Sequence, residues 1–397
     1  MIFLIIISIV LALLSIYIGW RMIPPLGWEP RWKTVAWIFV FTPLLFAPVE
    51  LFILSAGDSG LWADYARFGI YALISVFSLI FFLLLVRDLS FALQKFTLTC
   101  TSLLGAKKPR TPQKEPRHDP ERRQFLTNAL NGGIILLAGG LAGYGGFEAL
   151  RRPELLRVDV PIAKLPKAFH GFTIALLSDL HINRPRSTDW LWGIVNMVNA
   201  TKPDIVALTG DLSDSIASRV RNEVAPLSKL SARYGRFYVT GNHEYYTNAE
   251  DWIAELKHLG FTVLMSEHTA ITHGTDRLLV CGVPDMSGPK YYPNHISSPS
   301  LAQKGSRESD VKILLAHRPQ SVYEAADSNY DLLVCGHTHG GQFLPWKYAV
   351  DLAQPFLSGL HKVKNTHIYV SRGTGYWGPP IRLGVPSEVT LLTLIPA

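Results

Sequence analysis

Hydrophobic positions follow two regimes along the chain. Up to about residue 150 they run in long blocks, at 1–20, 34–54 and 67–86. Each block is near the roughly 20 residues that carry a helix across a bilayer. A fourth block, 129–147, is interrupted by glycines and fits either a closely packed membrane helix or the apolar region of a targeting signal. From Val158 onward the blocks shorten to strand length and alternate with polar, helix-capable segments. Residues 173–178, 205–209 and 237–240 are predicted strands, and 188–200, 218–232 and 250–259 predicted helices. Further strands are expected at 277–283, 311–315, 331–335, 367–370 and 389–394. The pattern predicts an all-α transmembrane region of about four helices over residues 1–150. An α/β domain with largely parallel core strands follows over 151–397. No internal repeat interrupts either part.

Charge orients the spans. Arg21, Arg31 and Lys33 follow the first block, and Arg87, Lys95, Lys107, Lys108, Arg110, Lys114, Arg117, Arg122 and Arg123 follow the third. Asp58 and Asp64 lie between the second and third. The basic segments, including a loop at about 88–124, are expected in the cytoplasm, which puts the C-terminal domain outside it. This topology, with anionic headgroups, accounts for the net charge of +7; no nucleic-acid recognition motif accompanies it. Arg122-Arg123-Gln124-Phe125-Leu126 reads as a displaced twin-arginine export signal or as a cytoplasmic helix anchor, and both send the following chain across the membrane. Cys100, Cys281 and Cys335 have neither metal-ligand spacing nor the number of a disulfide framework.

The chemistry gathers where strands end. The first strand runs into Ser178-Asp179-Leu180-His181, the second into Thr209-Gly210-Asp211 and the third into Gly241-Asn242-His243-Glu244. Later strands run into Ala316-His317-Arg318 and into Cys335-Gly336-His337-Thr338-His339-Gly340-Gly341-Gln342. One polar residue after a strand is ordinarily a turn or a helix cap. Five such ends on one sheet edge, where α/β folds bind ligands, point to a site. Asp179, His181, Asp211, Asn242, His317, His337 and His339 offer oxygen and imidazole donors without a thiolate. That set suits divalent manganese, zinc or iron. Seven donors exceed one four-coordinate ion and suit two ions sharing a bridge, for which Asp211 is the candidate. Two divalent ions against two aspartates leave a positive centre that attracts phosphate and acidifies water.

The ordered blocks DxH, GD, GNHE, H and GHTH resemble those of the calcineurin-like metallophosphoesterases over about residues 170–397. GHTHGGQ, Gly373, Gly375 and Pro386-Ser387-Glu388 are similar to the membrane-associated bacterial branch. The resemblance implies a four-layer αββα sandwich with a two-metal site at its strand ends. It assigns Asp179, His181 and His339 to one ion, Asn242, His317 and His337 to the other, and Asp211 to both. It makes His243 the group that protonates the leaving oxygen or stabilises phosphate charge, and Asp214 the acid that orients it. Glu244 stands where many relatives have aspartate, outside the ligand set. Asp214-Ser215-Ile216 stands where protein phosphatases of the superfamily carry an arginine, which disfavours a phosphoprotein substrate. Arg318, Tyr245, Tyr246, Arg372 and Arg382 are candidate substrate contacts.

The expected function is a multi-pass phosphohydrolase of a bacterial cytoplasmic membrane with an extracytoplasmic catalytic domain. It would cleave phosphoester or pyrophosphate bonds of a phosphorylated small molecule or lipid by metal-bound hydroxide. Residues 376–381 either face the bilayer or form a buried loop. A pyrophosphatase of the UDP-diacylglucosamine type in lipid A synthesis is an alternative, although its cytoplasmic substrate conflicts with this orientation. A non-catalytic membrane receptor has no need of the His243 proton donor. A transporter is disfavoured because the spans contain few internal charges.

Overall fold

The computed structural model describes residues 2–55, 61–103, 119–182, 188–308 and 310–397. The chain divides into two compact units, Met1–Tyr144 and Gly145–Ala397, with the division inside the helix Pro120–Leu150.

Three helical segments among the described residues of the first part are long and apolar enough to cross a membrane: Leu4–Met22, Trp62–Thr101 and Pro120–Leu150. The second block, expected as a single span, is broken. Helices Pro30–Val40 and Phe46–Ser55 flank a tight 3-10 turn, Thr42–Leu45, and the two halves of this apolar stretch are bent by 41°. Pro43 supplies the physical reason, since it has no N–H for the helical ladder. Counted as one span, the bent pair raises the number to four. The third block lies in a 43-residue helix, Leu61–Leu103, that continues well past Val86 because residues 87–103 contain neither glycine nor proline. The expected basic loop is therefore helical where it is described, and Lys107, Lys108, Arg110, Lys114 and Arg117, like Asp58, lie outside the described residues. Several charges among the described residues of this unit are paired. The Asp88 carboxylate accepts from the Tyr17 hydroxyl at 2.5 Å and pairs with Arg21 at 2.6 Å, while Arg87 bridges it to Asn131. Glu50 pairs with Arg67 at 3.0 Å.

In the second unit the described strands are β1 Glu154–Ile162, β2 Thr173–Leu177, β3 Ile205–Leu208, β4 Arg236–Tyr238, β5 Thr262–Val263, β6 Glu267–His273, β7 Asp276–Gly282, β8 Val311–Leu315, β9 Leu332–Cys335, β10 Gly359–Val363, β11 Thr366–Val370 and β12 Glu388–Pro396. They form two six-stranded sheets, ordered β1-β12-β2-β3-β4-β5 and β10-β11-β9-β8-β7-β6. Strands β2 to β5 are mutually parallel, as are β7, β8, β9 and β11. Alternation along each strand creates the layers. Ile174, Leu176, Ile205, Ala207 and Phe237 of the first sheet share a buried cluster with Leu278, Val280, Ile313, Leu315, Leu332 and Val334 of the second. On the first sheet's other face, Ala175, Leu177, Val206 and Leu208 pack under Leu191, Ile194 and Val198 of helix Thr188–Ala200 and Trp252 of helix Ala249–His258. On the second sheet's other face, Leu279, Leu314 and Leu333 pack under Val322 and Ala325 of helix Val322–Asp327. The result is the αββα sandwich, in which each fully buried aliphatic side chain contributes about 2 kcal/mol.

The helix predicted at 218–232 is instead three short pieces, Ala217–Arg219, Arg221–Val224 and Ala225–Lys229, with Pro226 preventing continuation. Strands β1, β5, β6 and β10 had no counterpart in the hydrophobic pattern. Their burial is interrupted by exposed positions, so the apolar signal is weak.

Candidate metal centre

The donors do not sit on the edge of one sheet, as the sequence suggested: β2, β3 and β4 end in one sheet and β8 and β9 in the other, and the packing of the two sheets brings together the turns that carry all seven expected donors. Those turns are tight. Asp179, His181, Asp211, His337 and His339 all have positive φ, between 44° and 73°. Residues with a Cβ rarely take that conformation, and each costs on the order of 1 kcal/mol or more. The strain is tolerated where a particular side chain has to project from a sharp turn. Two glycines make room for close approach. A Cβ on Gly336 would meet Asp179 Oδ2 and Ser178 Oγ at 2.0 Å, and one on Gly241 would meet Asp211 Oδ1 at 2.2 Å.

The donors converge in overlapping groups. Asp179, His181 and His339 form one, with His339 Nε2 3.2 Å from His181 Nε2 and 3.6 Å from Asp179 Oδ1. Asp211, His317 and His337 form another, with His317 Nε2 3.2 Å from Asp211 Oδ2 and 3.1 Å from both His337 Nδ1 and Asn242 Oδ1. Asp211 also lies 3.8 Å from His181 Nε2, between the two groups. The structure thus brings together all seven expected ligands. Carboxylate oxygens and imidazole nitrogens facing one another at these distances fit divalent cations, because without them like-charged or lone-pair-bearing atoms crowd together.

Surrounding bonds aim these atoms. His317 Nδ1 lies 2.8 Å from the Thr209 carbonyl, so a proton there leaves Nε2 facing the centre. The His337 amide donates to both Asp179 oxygens at 3.0 Å, and the His243 amide donates to Asp211 Oδ1 at 2.9 Å. Asp214 Oδ1 sits 2.6 Å from His243 Nδ1 and 2.8 Å from His181 Nδ1, so it orients a candidate ligand as well as His243. His243 Nε2 then faces Asp211 Oδ2 at 3.9 Å.

The electrostatics follow from this crowding. Burial favours neutral His243, but Asp211 and Asp214 outweigh it and push the imidazole up to about 9. Burial likewise opposes charge on His317, and Asp211 again outweighs it, raising the group to about 10. Burial, with His317 and Arg318 nearby, lowers His337 to about 3. The Asp214 carboxyl also resists burial, yet His181 and His243 hold it well below the usual carboxylate range.

The expected substrate contacts fare differently. Tyr245 is only 3% exposed, and its hydroxyl is 3.0 Å from His295 Nδ1, so it is a buried partner of that histidine; the exposed neighbour is Tyr246. Arg382 is wholly buried, and its guanidinium donates to the carbonyls of Arg372, Gly375 and Val385 and meets His339 Nδ1 at 3.1 Å, so it holds the loop behind the centre. Arg318 and Arg372 remain half-buried at the rim, the first held by Asp285 at 2.7 and 3.1 Å, the second paired with Glu388. Residues 376–381 form a mostly buried loop from which Trp377 projects.

Two contributors escaped the sequence reading. Glu244, expected to matter little, is fully buried, and its carboxylate accepts from the amides of Gly241 at 2.6 Å, Leu212 at 2.7 Å and Asp211 at 3.1 Å. It ties the turn after β3 to the turn after β4. Its place three residues beyond Gly241, at the start of helix Asn242–Thr247, is the capping-box position and was available as a signal. Asp285 follows β7 just as the ligands follow their strands, and the same strand-end rule would have found it.

A family model described as calcineurin-like phosphoesterase matches residues 172–341. A Helicobacter pylori protein named as an uncharacterized metallophosphoesterase is 38% identical over 277 residues, covering 69% of this chain and 73% of that protein. A Bacillus subtilis protein, the uncharacterized metallophosphoesterase YkuE, is 30% identical over 288 residues, covering 69% of this chain and 97% of that one. A Danio rerio transmembrane protein with metallophosphoesterase domain is 35% identical over 268 residues, 66% of this chain; the match spans 61% of that relative's length.

Proposed function

The chain belongs to the calcineurin-like phosphoesterase family, and from that premise we propose that its Asp/His centre is the catalytic site of a membrane-anchored phosphohydrolase acting on a lipid-linked phosphoester or pyrophosphate. A metal-dependent phosphoesterase with transmembrane relatives is the plain part of this statement. The substrate and the residue roles are the proposal. The observation that carries it is the position of Asp211 between the two donor groups, with His243 Nε2 turned toward the same carboxylate oxygen.

Asp179, His181 and His339 would hold one divalent ion, Asn242, His317 and His337 the second, and Asp211 both. When bound, such a pair supplies an activated water and offsets charge on the phosphoryl oxygens. The chain itself supplies the proton. A water oxygen bonds to phosphorus as the ester P–O bond breaks, and the leaving oxygen takes the proton from His243 Nε2. Asp214 fixes the His243 ring through Nδ1, and the proton released by the attacking water returns the site to its starting state through solvent. Manganese, zinc and iron all suit the donor set.

The membrane helices support the lipid preference, because an anchor concentrates the enzyme where lipid-linked phosphates are. The basic segments support a bacterial inner-membrane location with the catalytic domain outside the cytoplasm. The test uses full-length protein in detergent, stripped of metal and resupplied with manganese or zinc, on bis-p-nitrophenyl phosphate, p-nitrophenyl phosphate and a phosphorylated lipid. Metal-dependent turnover that is lost in His243→Ala and Asp211→Asn, and that is fastest on lipid, is expected. Metal-independent turnover would overturn the mechanism, and equal efficiency on soluble esters would overturn the lipid preference. A reporter fused after Ala397 tests the orientation, and activity of that reporter inside the cell would favour a cytoplasmic substrate of the UDP-diacylglucosamine kind.

A further inference from the structure

Aromatic rings stand on the side of the centre that would receive the leaving group. Asp214 occupies His243 Nδ1, so the proton leaves from Nε2, and whatever departs from phosphorus passes the rings beside that imidazole. Apart from the candidate ligand His181, at 4.8 Å, there are two such rings. Tyr246, one helical turn beyond His243, lies edge-on to it at 5.1 Å between centroids, and Trp377 lies edge-on at 5.7 Å. Both are open to solvent, at 58% and 41%. The surface continues to Tyr291, 6.4 Å from Tyr246 and also exposed.

Single exposed aromatics are ordinary on protein surfaces. Here two of them flank the proton donor, and one is fixed in place. The Gln342 side chain accepts from the Trp377 amide at 3.1 Å and donates to the carbonyls of Trp377 and Pro379 at 3.0 and 2.9 Å. Gln342 closes the turn that carries His337 and His339 and is itself buried, so the backbone that carries the indole is tied directly to the candidate metal loop.

We propose that Tyr246 and Trp377 form a leaving-group subsite that takes an apolar organic group attached at the ester oxygen, with Gln342 as the positioning residue that holds Trp377 there. This rests on the phosphohydrolase reading above. The shared chemistry is an apolar surface, which either an aryl ring or an alkyl chain of a lipid supplies.

The experiment is equilibrium binding of methyl-, phenyl- and hexylphosphonate to manganese-loaded full-length protein in detergent, by calorimetry. The phosphonate group occupies the centre in all three, so the ratio of affinities reports the subsite alone. Burial against an aromatic wall predicts about tenfold tighter binding of an apolar phosphonate than of methylphosphonate. A gain with both assigns an alkyl-tolerant apolar wall, and a gain with phenyl alone assigns ring stacking. Trp377→Ala is expected to collapse the ratio while methylphosphonate affinity and metal content stay at the wild-type level, Gln342→Ala to lower the ratio, and Trp377→Phe to retain most of it. Equal affinities for the three probes in the wild type, or an undiminished ratio in Trp377→Ala, would overturn the subsite while leaving the centre intact. Failure of every phosphonate to bind the metal-loaded protein would overturn the phosphohydrolase reading and the subsite with it.

Discussion

Replacing Glu244 by glutamine changes one atom and is expected to loosen the whole centre. The carboxylate uses both oxygens on three backbone amides, two on Oε2 and one on Oε1. A glutamine has one acceptor oxygen. Kept on Gly241 and Asp211, it points its NH2 at the Leu212 amide, donor against donor, in a place with no solvent access. A hydrogen bond to a charged acceptor contributes about 1.5–3 kcal/mol, and an orphaned buried N–H costs about 1–3 kcal/mol more. A total near 3 kcal/mol is expected, and in a unit of this size that corresponds to a fall in Tm of roughly 6–12 °C. Thermal unfolding of metal-free full-length protein in detergent, followed by tryptophan fluorescence, measures the structural part without interference from bound ions. Titration with manganese then measures the rest, because the two turns that Glu244 joins carry Asp211 and Asn242. A Glu244→Gln variant with wild-type Tm and wild-type metal affinity would refute the reasoning, since no other side chain among the described residues is placed to take over those amides.

Three other perturbations read different parts of the site. Asp214→Asn removes one of the carboxylates that raise His243; the protonated donor exists below its pKa of about 9 and is lost above it, so the alkaline limb of the kcat/KM–pH profile is expected to move down by about 1–2 units, and an unmoved limb would count against His243 as the acid. Gly336→Ala puts a methyl within 2.0 Å of Asp179 Oδ2 and Ser178 Oγ, and metal analysis is expected to show loss at the site holding Asp179, whereas full metal content would show that the turn can shift. Arg382→Lys keeps the charge but not the planar fork that reaches the carbonyls of Arg372, Gly375 and Val385; a loss of about 2 kcal/mol or more in unfolding free energy is expected, and an unchanged midpoint would deny the guanidinium its structural part.

The candidate donors were legible because each follows a strand end directly. A short apolar strand followed at once by Asp, His or Asn can be read from the chain, and parallel pairing then brings such ends together within each sheet; that β2 to β4 and β8 to β9 belong to two sheets, whose ends meet only through face-to-face packing, could not be read there. The same rule extended to Asp285 would have identified the partner of Arg318. What the chain did not disclose were relations set by packing between distant segments. Tyr245 and Tyr246 are adjacent in sequence and equally suited to a substrate, yet the short helix from Asn242 turns one toward His295 and the other outward. Arg382 has the composition of a phosphate contact, and only the path of the loop after β11 buries it behind His339. The membrane half shows the same division. Hydropathy marked its spans, whereas the break at Pro43 and the continuation of the third helix to Leu103 depend on single residues that a window average smooths away.

The left-handed turns carry that distinction a step further. If a β-turn were all that was needed after β2, β3 and β9, glycine would occupy those positions at no steric cost. Instead aspartate and histidine stand at Asp179, His181, Asp211, His337 and His339 with φ near 50–70°, while Gly336 and Gly241 beside them are compressed against those same side chains. The fold therefore gives up stability at each of these turns to aim a donor atom at a common point. Such an expense is explained by something at that point which the donors bind, and this separates the seven candidate ligands from rim residues such as Arg318 and Arg372, which sit outside those strained turns and are satisfied by carboxylates of the protein itself.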